Sequence, residues 1–194
     1  MNKKVTVLLV FYIMQFMISS CVNCHCNSGN YDKEYNGVEV KAWDTSGFQN
    51  NEIIDSTPVF KNSFGLSVSV MFKLEEVSKT FNLNSLGFNS AYACDCPGDS
   101  YHIADPINSI TIIVQDVNTL NEMDVTSKFI AKSYNGEELT LTELFQNLDE
   151  WQDGFQFDLK YIDDIPDVSI FKVSIFLESG IELTTETQQI NFEN

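Results

Sequence analysis

The sequence contains no arginine, and this absence narrows the classes of partner that the protein can bind. All 11 of its basic residues are lysines, against 28 aspartates and glutamates, which gives a formal net charge of −17. Arginine supplies the planar donor fork that proteins use to recognise phosphates and base edges. An acidic chain without this fork is poorly suited to nucleic acid or anionic lipid headgroups. We therefore expect no nucleic-acid partner.

Histidine is almost as scarce, and no recognisable catalytic motif is present. The two histidines are His25 and His102, and neither lies in a nucleophile motif. Acidic pairs could form a glycosidase-like site, but their spacing in sequence does not fix the separation that such a site needs. We expect no enzymatic activity and no cofactor. The alternative is a carboxylate-dependent hydrolase acting on glycans, which predicts a cleft with a carboxyl group of raised pKa.

The apolar run at the N-terminus is too short for a membrane-spanning helix, which needs roughly 20 apolar residues. The run covers residues 5–17; Lys3 and Lys4 precede it, and Ile18-Ser19-Ser20-Cys21 follows it. A basic segment, a short apolar segment and small residues before a cut site are typical of a secretory signal peptide. We assign residues 1–20 to such a signal.

The end of this segment resembles the lipobox of bacterial lipoproteins, with Ile18 three residues before Cys21 and two serines between them. The resemblance implies cleavage before Cys21 and a diacylglyceryl group on its sulfur, so the membrane is reached through a lipid anchor. A single acyl chain binds a membrane only marginally, so two or three chains are needed for lasting attachment. Cleavage would leave 9 lysines and 28 acids, a formal charge of 9 − 28 = −19.

Four further cysteines stand in two matching spacings, Cys24-x-Cys26 and Cys94-x-Cys96. An even number of cysteines in an exported protein favours disulfides. If both segments are extended, the cysteines of each pair point to the same side, so two bridges between the segments are geometrically reasonable. A metal or redox site built from the same four residues is the alternative. Structural zinc sites usually separate paired cysteines by two or more residues, so disulfides are the preferred interpretation.

An alternation of apolar and polar residues with a period of two dominates the rest of the chain and predicts β-strands. The predicted strands lie at 38–42, 64–74, 110–114, 155–161 and 171–177. In the predicted strand at 64–74, the residues that share the apolar face are Phe64, Leu66, Val68, Val70, Phe72 and Leu74. Ser179-Gly180 predicts the turn of a C-terminal hairpin whose second strand ends at Phe192. Asp163, Asp164 and Asp167 predict a solvated turn.

One short helix is predicted after Thr140, because Thr140 and Glu143 fit a capping box. The apolar residues that share one helical face are Leu141, Leu144, Phe145 and Leu148. Many alternating strands with one helix predict an all-β fold, an antiparallel β-sandwich with an Ig-like layout. We expect residues 37–194 to form this single domain and residues 21–36 to form the lipidated N-terminus and tether.

Several segments together resemble a family of uncharacterised lipoproteins from Bacteroidetes-type bacteria, a domain of unknown function. The segments are 91–97 (AYACDCP), 105–107 (DPI), 109–112 (SITI) and 141–145, together with the lipobox and the C-terminal hairpin. The family has no established activity, so the resemblance implies a cell-envelope location and no particular reaction. In related bacteria, acidic residues just after the lipidated cysteine resemble a surface-export signal. Residues 22–26, which follow Cys21, contain no acidic residue. This favours a periplasm-facing position on the outer membrane over the cell surface.

These features favour a non-catalytic binding or structural module whose partner is an envelope protein or a glycan. An exposed aromatic cluster would mark the binding surface, and the candidates are Trp43, Tyr101 and Trp151, although each could instead lie in the core. Asp116 begins a segment that resembles a calcium loop, but Leu120 stands where an oxygen ligand belongs. We therefore expect no metal at that segment.

The disulfide prediction is tested by the intact mass of the mature chain, produced from Val22 in an oxidising compartment. We expect a mass about four hydrogens below that of the reduced chain, and no reaction with a thiol-alkylating reagent. Four alkylated thiols, or zinc retained in the native mass spectrum, would contradict the two bridges and support the metal or redox alternative.

Overall fold

The computed structural model describes Tyr12 and residues 29–47, 50–54, 57–77, 99–133, 135–148 and 152–193. These residues belong to two compact units. The larger unit comprises residues 33–74 and 103–194, and the smaller unit comprises residues 1–32 and 75–102. The predicted lipidation site Cys21, the cysteines Cys24, Cys26, Cys94 and Cys96, and Trp151 all lie outside the described residues.

The described residues form thirteen strands and one α-helix. The strands are β1 (Asn30–Asp44), β2 (Asn51–Glu52), β3 (Val59–Phe60), β4 (Phe64–Glu76), β5 (Ser100–Ile103), β6 (Ile107–Asp116), β7 (Glu122–Asp124), β8 (Phe129–Lys132), β9 (Glu138–Thr140), β10 (Gly154–Leu159), β11 (Val168–Leu177), β12 (Glu182–Glu186) and β13 (Ile190–Glu193), and the helix is α1 (Leu141–Gln146). Short 3-10 turns occur at Lys61–Ser63 and Thr126–Lys128.

The strands form two sheets that pack together as a β-sandwich, which confirms the predicted all-β sandwich with one short helix. The first sheet has the order β2-β1-β4-β10-β8-β9, with β5 paired to β1; the second has the order β3-β13-β11-β6-β7, with β12 paired to β11. The strand pairs whose register is defined are antiparallel, except that β13 pairs with β3 in parallel. The Ig-like layout remains a prediction.

A cluster of phenylalanine rings joins the two sheets inside the larger unit. Phe64 of the first sheet stacks on Phe171 of the second with ring centroids 4.8 Å apart, and it meets the edge of Phe192 at 5.2 Å. Phe129 completes the cluster, with its centroid 5.9 Å from that of Phe171. Phe64, Phe129 and Phe171 are completely or almost completely buried. Aromatic packing of this kind contributes both buried area and a preferred ring geometry.

The alternation in β4 predicts the core correctly only for the first part of the strand. Leu66, Val68 and Val70 are buried, as is Phe64, whereas Phe72 is 42% and Leu74 is 46% exposed. The predicted strand over 64–74 is present, but the apolar face that includes Phe72 and Leu74 is not buried along its whole length. The neighbouring strand β10 begins at Gly154, opposite Ser69, so β4 continues beyond this part of the sheet.

The predicted strand over 155–161 also ends early, because β10 stops at Leu159 and Tyr161 is 56% exposed. The backbone N–H groups of Lys160 and Tyr161 both donate to the carbonyl of Lys128, which turns the chain away from the sheet. The turn that follows is held by Lys61, whose Nζ donates to the Ile165 carbonyl at 2.6 Å.

The first strand is longer than predicted, because β1 begins at Asn30 and not at Val38. The early part of β1 does not show the apolar alternation of a strand, because Lys33 occupies an inward position where an apolar residue is expected. Lys33 is only 4% exposed, and its Nζ lies 2.9 Å from Asp153 Oδ2 and 4.3 Å from the centroid of Phe72. The carboxylate and the ring together accommodate a charge that would otherwise be costly to bury.

The helix and the turn of the C-terminal hairpin form as predicted, but the second strand of the hairpin, β12, ends at Glu186, and Phe192 belongs to the separate strand β13. The N–H of Glu143 donates to Thr140 Oγ1 at 3.2 Å, and the N–H of Thr140 donates to Glu143 Oε2 at 2.8 Å, so the capping box is complete. Leu141 and Phe145 are buried, and α1 packs against β6 and β9. In the hairpin, Gly180 has a φ of +89°, which a side chain would disfavour.

We predict that Gly65→Ala destabilises the sandwich, because an added Cβ would lie 2.9 Å from the backbone carbonyl oxygen of Phe157. Relief requires β4 and β10 to separate, so we expect a loss of about 1–3 kcal/mol in the free energy of unfolding. Urea denaturation measures the change. Gly154→Ala in the same strand pair is the control, since its Cβ would meet nothing within 4 Å. Equal stability of the two variants would contradict the steric argument.

Candidate functional site

Two tyrosines in the smaller unit form an exposed aromatic pair. Tyr31 of β1 and Tyr101 of β5 stack with their ring centroids 5.5 Å apart and their planes at 24°. Tyr101 is 40% exposed, and Tyr31 is half-buried. Because each ring limits the motion of the other, the pair presents an aromatic surface of defined orientation.

Hydrogen bonds between strand ends position the two rings. The backbone N–H of Ser100 donates to the Gly29 carbonyl at 2.9 Å, and the N–H of Gly29 donates to Asp99 Oδ1 at 2.8 Å. The Ser100 hydroxyl donates to Asn30 Oδ1 at 2.5 Å. These contacts place an amide, a hydroxyl and a carboxylate on the residues that flank the tyrosines. We call Asn30, Tyr31, Asp99, Ser100 and Tyr101 the tyrosine site.

The other predicted aromatic residues do not contribute to this site in the described residues. Trp43 belongs to the larger unit, where it is half-buried and its backbone pairs with Glu52. Its indole Nε1 is buried without a hydrogen-bond partner, so the polar end of the ring does not face solvent. Trp151 lies outside the described residues. Tyr101 is thus the one predicted aromatic candidate that the described structure exposes.

Sequence reasoning missed Tyr31, although a signal for it was present. Tyr31, Lys33 and Tyr35 alternate along one face of β1, and Tyr35 is buried. The lysine between the tyrosines obscured the pattern, and the residues were assigned to a tether. Alternation that tolerates a single lysine would have extended the predicted strand to include Tyr31.

A second feature of interest is a cleft of about 190 Å³ in the larger unit, beside α1 and the β8–β10 pair. Its lining includes Leu144, Phe155, Gln156, Lys132 and Asp158. The Lys132 ammonium donates to Asp158 Oδ2 at 2.8 Å, while Asp158 Oδ1 is buried without a donor. The cleft therefore holds a carboxylate that is already paired with a cation.

The acidic residues whose pKa values are shifted are charged groups that accept hydrogen bonds from nearby residues. A backbone hydrogen bond from Thr140 lowers the pKa of Glu143, and side-chain hydrogen bonds from Ser174 and then Thr184 lower the pKa of Glu182. A general acid needs the opposite shift, because it must hold a proton near neutral pH. These groups are suited to capping and strand pairing.

The segment that resembles a calcium loop is a tight turn between β6 and β7. The N–H of Asn118 and the hydroxyl of Thr119 donate to the Asp116 carboxylate at 2.9 and 2.8 Å. These bonds, with the backbone bond of Asn118 first, lower the pKa of Asp116. Leu120 has a φ of +61° and is exposed, as a turn residue is. The carboxylate is thus occupied by its own turn.

The part of the chain that the structure describes contains neither a cluster of metal-ligating side chains nor a membrane-spanning helix. Within that part, no group of three or more histidine, cysteine, aspartate or glutamate side chains is arranged to hold a metal ion. His102 is exposed on β5, and His25 lies outside the described residues. No described helix is long and apolar enough to cross a membrane.

Comparison with known proteins adds no assignment: no family model matches the sequence, and no curated protein is significantly similar to it.

We predict a specific pH dependence for the helix cap. Because the pKa of Glu143 is lower in the folded than in the unfolded chain, its stabilising effect is present above the unfolded value near 4.5 and is lost as the pH falls through the folded value. Glu143→Gln should therefore be less stable than the wild type at pH 7, and the difference in urea midpoint should shrink below pH 4.5. Thr140→Ser, which keeps the capping hydroxyl, is the control. A difference that stays constant from pH 7 down to pH 3, which lies below the unfolded value near 4.5, would refute this account.

Proposed function

We propose that this protein is a lipid-anchored envelope protein whose tyrosine site is a non-catalytic binding surface. The observation that supports the proposal is the partly exposed side chain of Tyr101, which stacks on Tyr31. The two tyrosines lie near the ends of β5 and β1. Tyrosine is well suited to binding, since it offers a large apolar face and a polar tip at a low cost in side-chain entropy. Stacking lowers that cost further, because the ring is already held before a partner arrives.

The anchor and the site are close along the chain. Cys21 precedes the first residue of β1, Asn30, by nine residues, which can span at most about 30 Å when extended. Lipidation at Cys21 would therefore keep the tyrosine site near the membrane to which the chain is attached. We propose the periplasmic face of the outer membrane as that location, so the partner would be an envelope component.

Among the described residues, the carboxyl groups whose pKa is shifted are not suited to general acid catalysis, which supports the binding proposal. A hydrolase would need a carboxyl group of raised pKa in a cleft, but hydrogen bonds lower the pKa of Asp116, Glu143 and Glu182. In the cleft beside α1, Asp158 is paired with Lys132. The alternative of a four-cysteine metal or redox site stays a prediction, because those cysteines lie outside the described residues.

The experiment uses the tagged full-length chain, extracted from membranes and immobilised. Envelope material is separated into polysaccharide, peptidoglycan and protein fractions, and retention of each is measured. We expect the wild type to retain one fraction and Tyr101→Ala to retain it at least about tenfold less, because the loss of a central aromatic contact typically costs more than 1.4 kcal/mol.

Tyr161→Ala is the matched control, since Tyr161 is an exposed tyrosine of the larger unit and should not affect retention. Equal retention by both variants, or no retention of any fraction, would refute the binding surface. The anchor is tested with the same preparation: Cys21→Ala should move the chain from the membrane to the soluble fraction, and an unchanged membrane fraction would refute lipidation at this residue.

A further inference from the structure

We infer that Asn135 is a modification site, at which the folded protein deamidates spontaneously to aspartate and isoaspartate. The site lies in the turn between β8 and β9 of the larger unit, and the inference is independent of the proposed binding function. It follows from a comparison of two identical tripeptides that the fold places in different surroundings.

The tripeptide Tyr-Asn-Gly occurs twice in the sequence, at residues 35–37 and 134–136. Asparagine followed by glycine is prone to deamidation, because glycine has no Cβ to hinder attack by its own backbone nitrogen. The residues next to the reacting atoms are the same in both copies. A large difference in rate between the copies must therefore come from the fold.

The reaction is a ring closure followed by hydrolysis. The backbone nitrogen of Gly136 forms a bond to Cγ of Asn135, the Cγ–Nδ2 bond breaks, and the amide proton leaves with Nδ2 as ammonia. Water then opens the succinimide ring. Opening at Cγ gives aspartate, whereas opening at the main-chain carbonyl gives isoaspartate. The net change is the uptake of water and the loss of ammonia.

The fold leaves the second copy open to ring closure. Asn135 and Gly136 are exposed to water in the turn, where Gly136 has a φ of +79°. A Cβ added to Gly136 would meet none of the described atoms beyond its chain neighbours within 4 Å, so the space beside it is open. The Gly136 N–H donates to the Ser133 carbonyl at 2.9 Å. This bond belongs to an exposed turn and can open without separating the two strands.

The fold protects the first copy. Asn36 and Gly37 lie within β1, which pairs with β4 in the first sheet. Ring closure requires rotation about the Cα–C bond of Asn36, out of the extended range that strand pairing fixes. The neighbouring strand is also close, because a Cβ added to Gly37 would lie 2.7 Å from Met71 Cε. Reaction at Asn36 therefore needs a local opening of β1, which only a small fraction of molecules undergoes.

Deamidation changes the charge and the length of the turn. It places a carboxylate at residue 135, close in sequence to Glu137 and Glu138, and isoaspartate adds an atom to the backbone of the hairpin. The paired residues nearest the turn are Lys132 and Glu138, so the added atom lies outside the β8–β9 ladder. We expect the modified chain to remain folded and to separate from the unmodified chain as a more acidic form.

The test incubates the folded full-length chain in mildly alkaline buffer and follows both copies by peptide mapping. Because the chain has no arginine, trypsin cleaves after lysine alone and places the copies on separate peptides, residues 34–41 and 133–160. Fragment ions locate the modified residue, and methylation by an isoaspartyl methyltransferase identifies isoaspartate. We expect at least about tenfold more deamidation at Asn135 than at Asn36, because opening a paired strand adds to the activation free energy.

The chain unfolded in guanidinium chloride is the matched control. Both copies lose their structure there, so their rates should become nearly equal. Asn135→Gln, whose longer side chain must close a larger ring, should stay unmodified at this position, and circular dichroism checks that the variant is folded.

Three outcomes would overturn the inference. The first is equal or greater deamidation at Asn36 in the folded chain. The second is an unmodified Asn135 in the folded chain over a period in which the unfolded chain reacts completely. The third is a preference for Asn135 that persists unchanged in guanidinium chloride, since the fold would then not be its cause.

Discussion

The structure depends on the burial of Phe64 between the two sheets. Its ring stacks on Phe171 and meets the edge of Phe192, and both of these residues belong to the opposite sheet. Fully burying one such side chain contributes about 1.5–3 kcal/mol, and this cluster buries several. Because Phe64 is the first residue of β4, the same contact fixes the start of the strand whose far end, at Glu75 and Glu76, belongs to the smaller unit.

Periodicity predicted the elements whose two faces differ clearly in polarity. The alternation of Phe171, Val173, Ile175 and Leu177 identified β11, and the pair Thr140 and Glu143 identified the start of α1. Such a pattern indicates which side of a strand is apolar, but it does not indicate where the neighbouring strand ends. For this reason Phe72 and Leu74 continue the apolar alternation of β4, although β10 no longer pairs with that part of the strand and both residues are exposed.

Lys33 explains why the beginning of β1 was missed, whereas the stacking of Tyr31 on Tyr101 is a tertiary contact that the sequence does not reveal. A lysine at an inward position breaks the apolar pattern, and only the tertiary structure supplies Asp153 and the ring of Phe72 as its partners. Asp153 is partly exposed, so water also screens the pair, and its net contribution to stability is modest. The pair permits β1 to continue to Asn30, and Tyr31 therefore lies in a strand beside Tyr101.

Ion pairs compensate the charge of several lysines in the larger unit. In the larger unit, lysines pair with nearby carboxylates, as Lys33 does with Asp153, Lys132 with Asp158 and Lys160 with Glu138. Each pair contributes little to stability, but it neutralises local charge.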